Sequence, residues 1–219
     1  MSGVSLHDLR LIAEEKCAGI AEGPPLGELE GALIALGTSA SVTALERCPI
    51  KAAITAAFDA GASLAQVQEM IALVSALGVH SLMVTALPVL EEAQRRGLVP
   101  DGEPLDPQRQ ALWDRHVGDD PFWDGFSLEL PGFLKALLIL SPDLFTGFFD
   151  YCAIPWKSGQ IRASVKELAA MACDAAPTHR FVPGFRVHLA NAIKLGVGRA
   201  AIMQTIDLAA AAPGHQGYR

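Results

Sequence analysis

Apolar positions along this chain recur at helical rather than strand spacing. Alanine and leucine dominate, and β-branched alternation is scarce. Leu6, Leu9, Ile12 and Ala13 share one face of a first helix, roughly 5–22, which Gly23-Pro24-Pro25 ends. Helices are predicted next over 29–37, 41–47 and 50–60, the last with Pro49 at its start, where proline is tolerated. Gly61 is a stop, Ser63 an N-cap, and Gln66 completes a capping box for a helix to about 78. Another helix follows to Arg96. Residues 98–128 hold Pro100, Gly102, Pro104, Pro107, Gly118 and Pro121, and read as a connector with one short helix over 108–116. Beyond it, helices are predicted over 131–140, 142–152, 165–174, around His188 to Gly196, and over 199–212. Ser164 would cap the third of these, with Glu167 at the capping-box position.

The two halves repeat. With the second half shifted back by 135, positions 53–80 match 188–215 at Ala57/Ala192, Gly61/Gly196, Ala65/Ala200, Ile71/Ile206, Leu73/Leu208, Ala76/Ala211 and His80/His215. Alanine richness inflates such matches, so the shared layout of helix, glycine break, helix and then histidine carries more weight. With a two-residue shift between the copies, Glu30 stands opposite Glu167. His188 has Ala53 as its counterpart, so one copy holds candidate chemistry that the other lacks. The expected class is all-α: two tandem helical repeats packed as an orthogonal bundle, over 1–97 and 129–219, with 98–128 as connector.

Composition narrows the function classes. The chain has 219 residues, 51% apolar and only 19% charged, which suggests surface buried between subunits as well as within one. The net charge of −7, with no basic stripe, disfavours nucleic acid. A small acidic metabolite would need a locally basic pocket. The first ten residues lack a signal-peptide layout, and apolar stretches such as 71–77 and 208–212 fall short of the roughly 20 residues a bilayer span takes, so a cytoplasmic location off the membrane is expected. Cys17, Cys48, Cys152 and Cys173 form no CxxC pair and read as buried thiols. No Cys or His pair shows zinc-ligand spacing, so no metal is expected.

Glu167-Leu168-Ala169-Ala170-Met171-Ala172, followed by Pro183-Gly184-x-Arg186-x-His188-x-x-Asn191-Ala192-x-x-x-Gly196, resembles the carboxymuconolactone decarboxylase and AhpD-like superfamily. Glu30 through Ala57-x-x-x-Gly61, then Val67 to Ile71 and Leu77 to His80, resembles a second copy. The resemblance implies a ring-like homo-oligomer, a homotrimer or trimer-based assembly for a fused pair of repeats. The peroxidase branch of that superfamily carries a redox CxxC ahead of the helix histidine. Here those positions are Phe181 and Gly184, so no disulfide can form there. That leaves the cofactor-free decarboxylase-like branch in aromatic catabolism, or a relative moved to another substrate.

Decarboxylating a lactone acid requires holding the carboxylate, stabilising the developing oxyanion and reprotonating carbon. Histidine suits proton transfer near neutrality and arginine suits a carboxylate. His188 is the expected acid/base, supported by Glu167, with His179 or Arg186 holding an acidic group. Arg186, two residues before His188, points about 160° away on an ideal helix. Asn191 lies one turn on and can orient the ring. His80 and His215, related by the repeat, are further candidate binding residues or helix caps. An isomerase or lactone hydrolase on a similar acid, an alkylhydroperoxidase, and a non-catalytic binding or assembly protein remain alternatives.

Overall fold

The computed structural model of the chain describes residues 3–45 and 47–215. Among these it has twelve α-helices, one 3₁₀ turn and no strand. In chain order they are α1 (Leu6–Lys16), α2 (Glu28–Ala40), α3 (Arg47–Asp59), α4 (Leu64–Ser75), the 3₁₀ turn (Ala76–Val79), α5 (His80–Arg95), α6 (Pro107–His116), α7 (Pro121–Glu129), α8 (Phe133–Leu140), α9 (Pro142–Ser158), α10 (Ala163–Ala175), α11 (Val182–Lys194) and α12 (Arg199–Ala210). They form two compact units: residues up to Leu77 with those from Ile154 onward, and Gly78–Ala153. These units are drawn differently from the two sequence halves, because the duplicated helices all lie in the first.

The duplication is regular. Helix starts at Glu28 and Ala163, Arg47 and Val182, and Leu64 and Arg199 each differ by 135, and so do the matching ends. The predicted two-residue shift between the copies is therefore absent, and Ala32, not Glu30, is the counterpart of Glu167. α2 packs on α3 and α4 as α10 packs on α11 and α12, and α2 and α10 pack on each other. α12 also meets α2, and α4 meets α10, so each copy buries its apolar face against the other. Thr178 Oγ1 donates to the carbonyl of Thr43, its own counterpart, which places that contact near the local twofold axis. Ile34, Leu36, Met70, Met171, Phe185, Leu189, Ile202 and Ile206 are fully buried in the shared core.

Local chemistry sets the helix ends. Ser63 and Gln66 form the predicted capping box on α4. Its counterpart on α12 is Gly198, which offers no side chain. Instead the carbonyls of Ala21 and Glu22 accept from the N–H groups of Arg199 and Ala200 at 3.1 and 2.8 Å. A Cβ on Gly198 would lie 2.5 Å from the Glu22 carbonyl oxygen, so only glycine lets that segment approach. The first helix ends at Lys16, six residues before the predicted limit, and the chain turns through Gly19 at φ +81°. The predicted helix over 41–47 is a turn through residues 41–45, with Leu45 at φ +47°; position 46 lies outside the described residues.

In the second unit α5 and α6 pack on α8. The predicted connector is not bare: besides α6 it holds α7, opened by Pro121 behind the N-cap Asp120. Trp113, Trp123, Phe126, Phe133, Phe145, Phe148 and Phe149 build an aromatic cluster in which most ring pairs meet edge to face and Trp113 stacks on Phe145. The Arg109 guanidinium donates to the carbonyls of Leu138 and Ile139 at 3.4 and 3.2 Å, satisfying the end of α8. The helical run Leu64–Arg95 is, by length and composition, long and apolar enough to cross a bilayer, which counting apolar stretches in the sequence missed. Its α4 part buries Val67, Met70, Leu73 and Val74, and its α5 part buries Ala86 and Leu90.

Candidate active site

α10 is buried along its length and presents Glu167 toward α11. The helix begins at Ala163 behind Arg162, with no side-chain cap, so Ser164 and Glu167 do not form the predicted capping box. Glu167 bonds across to α11 instead. Its Oε2 accepts from His188 Nδ1–H at 2.6 Å, and its Oε1 accepts from Asn191 Nδ2 at 3.2 Å. His188 and Asn191 are one turn apart on α11, so one carboxylate reaches both. A ring that donates through Nδ1–H leaves Nε2 as its working edge. The His188 side chain is 23% exposed. Burial pushes its pKa down. The Glu167 hydrogen bond, the Glu167 charge and the Asp174 charge outweigh that, and the net shift is upward from 6.5.

Asp174, which sequence reasoning did not single out, completes the cluster. It lies two turns beyond Glu167 on the same face of α10, is 1% exposed, and has Oδ2 4.0 Å from His188 Nε2. The signal was the spacing of seven between two carboxylates on one apolar helix. His179 sits in the turn before α11, stacked on Phe181, with Nε2 3.6 Å from Asp174 Oδ1. It joins the cluster through Asp174.

The remaining predicted residues are placed as follows. α11 starts at Val182, four residues before Arg186, so Arg186 is helical and exposed on the side away from His188, as the 160° separation requires. His215 Nδ1–H donates to the Ala44 carbonyl at 3.1 Å; Ala44 is the counterpart of His179 in the first copy. His80 opens α5, half-buried, in the second unit. Glu30 belongs to the N-terminus of α2, where it accepts from Gly27 N–H at 3.0 Å and pairs with Arg162. At the first-copy positions matching Glu167, Asp174, His188 and Asn191 stand Ala32, Ser39, Ala53 and Ala56. The asymmetry between copies therefore extends to the whole cluster.

α10 is anchored one residue before Glu167. Lys166 pairs with Glu69 of α4, both side chains being 2% exposed, and also donates to the Pro155 carbonyl at 2.6 Å. Glu69 further accepts from the Ser158 hydroxyl and from the N–H groups of Gln160 and Ile161 at 2.9 and 3.2 Å. Burial raises the Glu69 pKa, but Lys166, Ser158 and the two amides more than offset it, so the carboxyl is held below its ordinary value. The first copy keeps only the backbone part: Leu26 N–H, counterpart of Ile161, donates to Gln204 at 2.7 Å.

All four cysteines are free thiols. Burial pushes Cys17 up, Cys152 up to about 11, and, with the Asp174 charge, Cys173 up further, so these three are held as poorly nucleophilic thiols. Cys48 is exposed on α3.

No protein-family model and no curated protein matches the chain. Among solved structures, a protein of Burkholderia xenovorans, provisionally described as a gamma-carboxymuconolactone decarboxylase subunit, is similar. The two share 27% identity at a TM-score of 0.72, over 95% of this chain and 84% of the other. That likeness covers both copies of the duplicated helices and the intervening segment. Together with the offset of 135 and the Glu167–His188 pairing, it supports the carboxymuconolactone decarboxylase and AhpD-like superfamily for this chain.

Proposed function

We propose that the chain is a cofactor-independent, decarboxylase-type lyase acting on a carboxylated lactone or ring-cleavage acid of aromatic catabolism. The observation that carries this reading is the Asn191–Glu167–His188 arrangement, which fixes one edge of an imidazole and leaves Nε2 for proton transfer. In the reaction, the bond between the substrate carboxylate and its carbon breaks and CO2 leaves. The electron pair passes into the conjugated carbonyl as a dienolate. The His188 imidazolium then donates Nε2–H to carbon and recovers a proton from solvent. The carboxylate-holding role expected of Arg186 falls to the imidazoles of His188 and His179 within one chain. Arg186 would serve a neighbouring copy in a trimer-based assembly.

An isomerase is the second reading, favoured by Asp174. A carboxylate across the ring from Glu167 lets one imidazole take a proton and return it at another carbon. A thiol peroxidase is disfavoured by the buried, raised thiols of Cys17, Cys152 and Cys173.

The test is incubation with 4-carboxymuconolactone and related ring-cleavage acids, followed by proton NMR and mass. Release of CO2 supports the lyase, and a rearranged acid of unchanged mass supports the isomerase. His188→Ala is expected to lower turnover by roughly 10²–10⁴-fold with unchanged helical circular dichroism. No conversion of any acid, or a fully active H188A, would sink the reading.

A further inference from the structure

The reading above rests on the edge of His188 that Glu167 holds. The opposite edge faces Asp174, and three placements there are informative. Asp174 Oδ2 is 4.0 Å from His188 Nε2, and Oδ1 is 3.6 Å from His179 Nε2, so one buried carboxylate faces two imidazoles. Room for it is made by Gly184, in the first turn of α11. A Cβ on Gly184 would lie 2.3 Å from Oδ2 and 2.8 Å from the Phe181 ring. The backbone is tied at the same place, because Phe181 N–H donates to the Asp174 carbonyl at 2.9 Å. The carboxylate thus sits against the positive end of α11, which favours its charge.

A buried carboxylate is unfavourable unless positive charge or hydrogen bonds compensate it. Compensation by two imidazoles couples its charge to their protons. We propose that Asp174 is a positioning residue, gathering the Nε2 edges of His188 and His179 on one carboxylate in a chain Glu167–His188–Asp174–His179. Its task is to keep the His188 imidazole oriented and charged until a substrate approaches Nε2. The inference rests on the reading of His188 as the proton-transfer group. The charges that act on His188 are those of Glu167 and Asp174, both from α10, with His179 reached through Asp174.

The experiment is a titration of the histidine side chains by ¹⁵N and ¹³C NMR in the full chain, comparing wild type, Asp174→Asn and Glu167→Gln. Removing the Asp174 charge should make His188 lose its proton at lower pH and should move its Nε2 resonance. The Nδ1 resonance should keep its Glu167-bonded position. In turnover, the limb that reports loss of the acid should move to lower pH. A folded D174N in which His188 titrates as in wild type overturns the proposal. Should D174N fail to fold, Gly184→Ala displaces the carboxylate from the α11 side, and the same His188 shift is required of it. The titration needs no substrate, so the two ideas separate. A shifted D174N beside a fully active H188A overturns the proton-transfer reading. An unshifted D174N beside an inactive H188A overturns the positioning role of Asp174.

Discussion

His188 takes its charge from a balance between burial and two carboxylates, and that balance is measurable without a substrate. Its folded pKa is raised above the ordinary 6.5, so its pairing with Glu167 stabilises the fold fully below about 6.5 and ceases to do so as pH rises through the raised value. Urea midpoints of wild type and Glu167→Gln should therefore differ most in mildly acidic buffer and converge toward alkaline pH. A gap that is constant with pH would count against the pair. Glu167, His188 and Asn191 were legible in the sequence because helical spacing places 188 and 191 on one face, and the same geometry turned Arg186 away. Asp174 had an equally plain spacing from Glu167, but it read as the last residue of a helix, where an aspartate is unremarkable. Its role depends on Gly184, and no spacing rule connects a missing side chain on one helix to a carboxylate on another.

At the level of elements, α10 matters most, since it carries both carboxylates and is pinned by Lys166 and Glu69. Removing one partner leaves the other charge buried and unpaired. Glu69→Gln should cost about 3–5 kcal/mol in urea unfolding, and Glu69→Gln with Lys166→Met should recover part of that. A loss under about 1 kcal/mol would mean that the pair does not anchor the helix. Helix identities were readable through the glycine and proline breaks, and the offset of 135 proved to hold at every duplicated helix end. Failures came where the break was weak or misleading. Gly19 ended α1 before Gly23 could, and Pro121 opened α7 where it had been taken as connector punctuation. The apparent match of Glu30 with Glu167 arose because both are glutamates near the start of matching helices. The Lys166–Glu69 pair was unreadable, because it joins two helices distant in sequence through a segment with no local pattern.

For the molecule as a whole, the two copies give one cluster per chain, with alanine or serine at every matching position of the first. His188→Ala should accordingly lower turnover by about 10²–10⁴-fold rather than by half. Ala53→His alone should restore nothing, because Ala32 and Ala56 offer its ring no partner. Residual activity near one half in H188A would reveal a second working site. The regular offset has a further consequence, for heredity. When identical subunits pair, every mutation is imposed on both sides of the axis at once, and a change that helps one side while damaging the other is lost. Once the two halves are written in one gene, each drifts under its own selection. The alanines at 32, 53 and 56 are the kind of change such freedom permits: one half keeps the reactive groups, and the other is released to serve only as the surface they are built against.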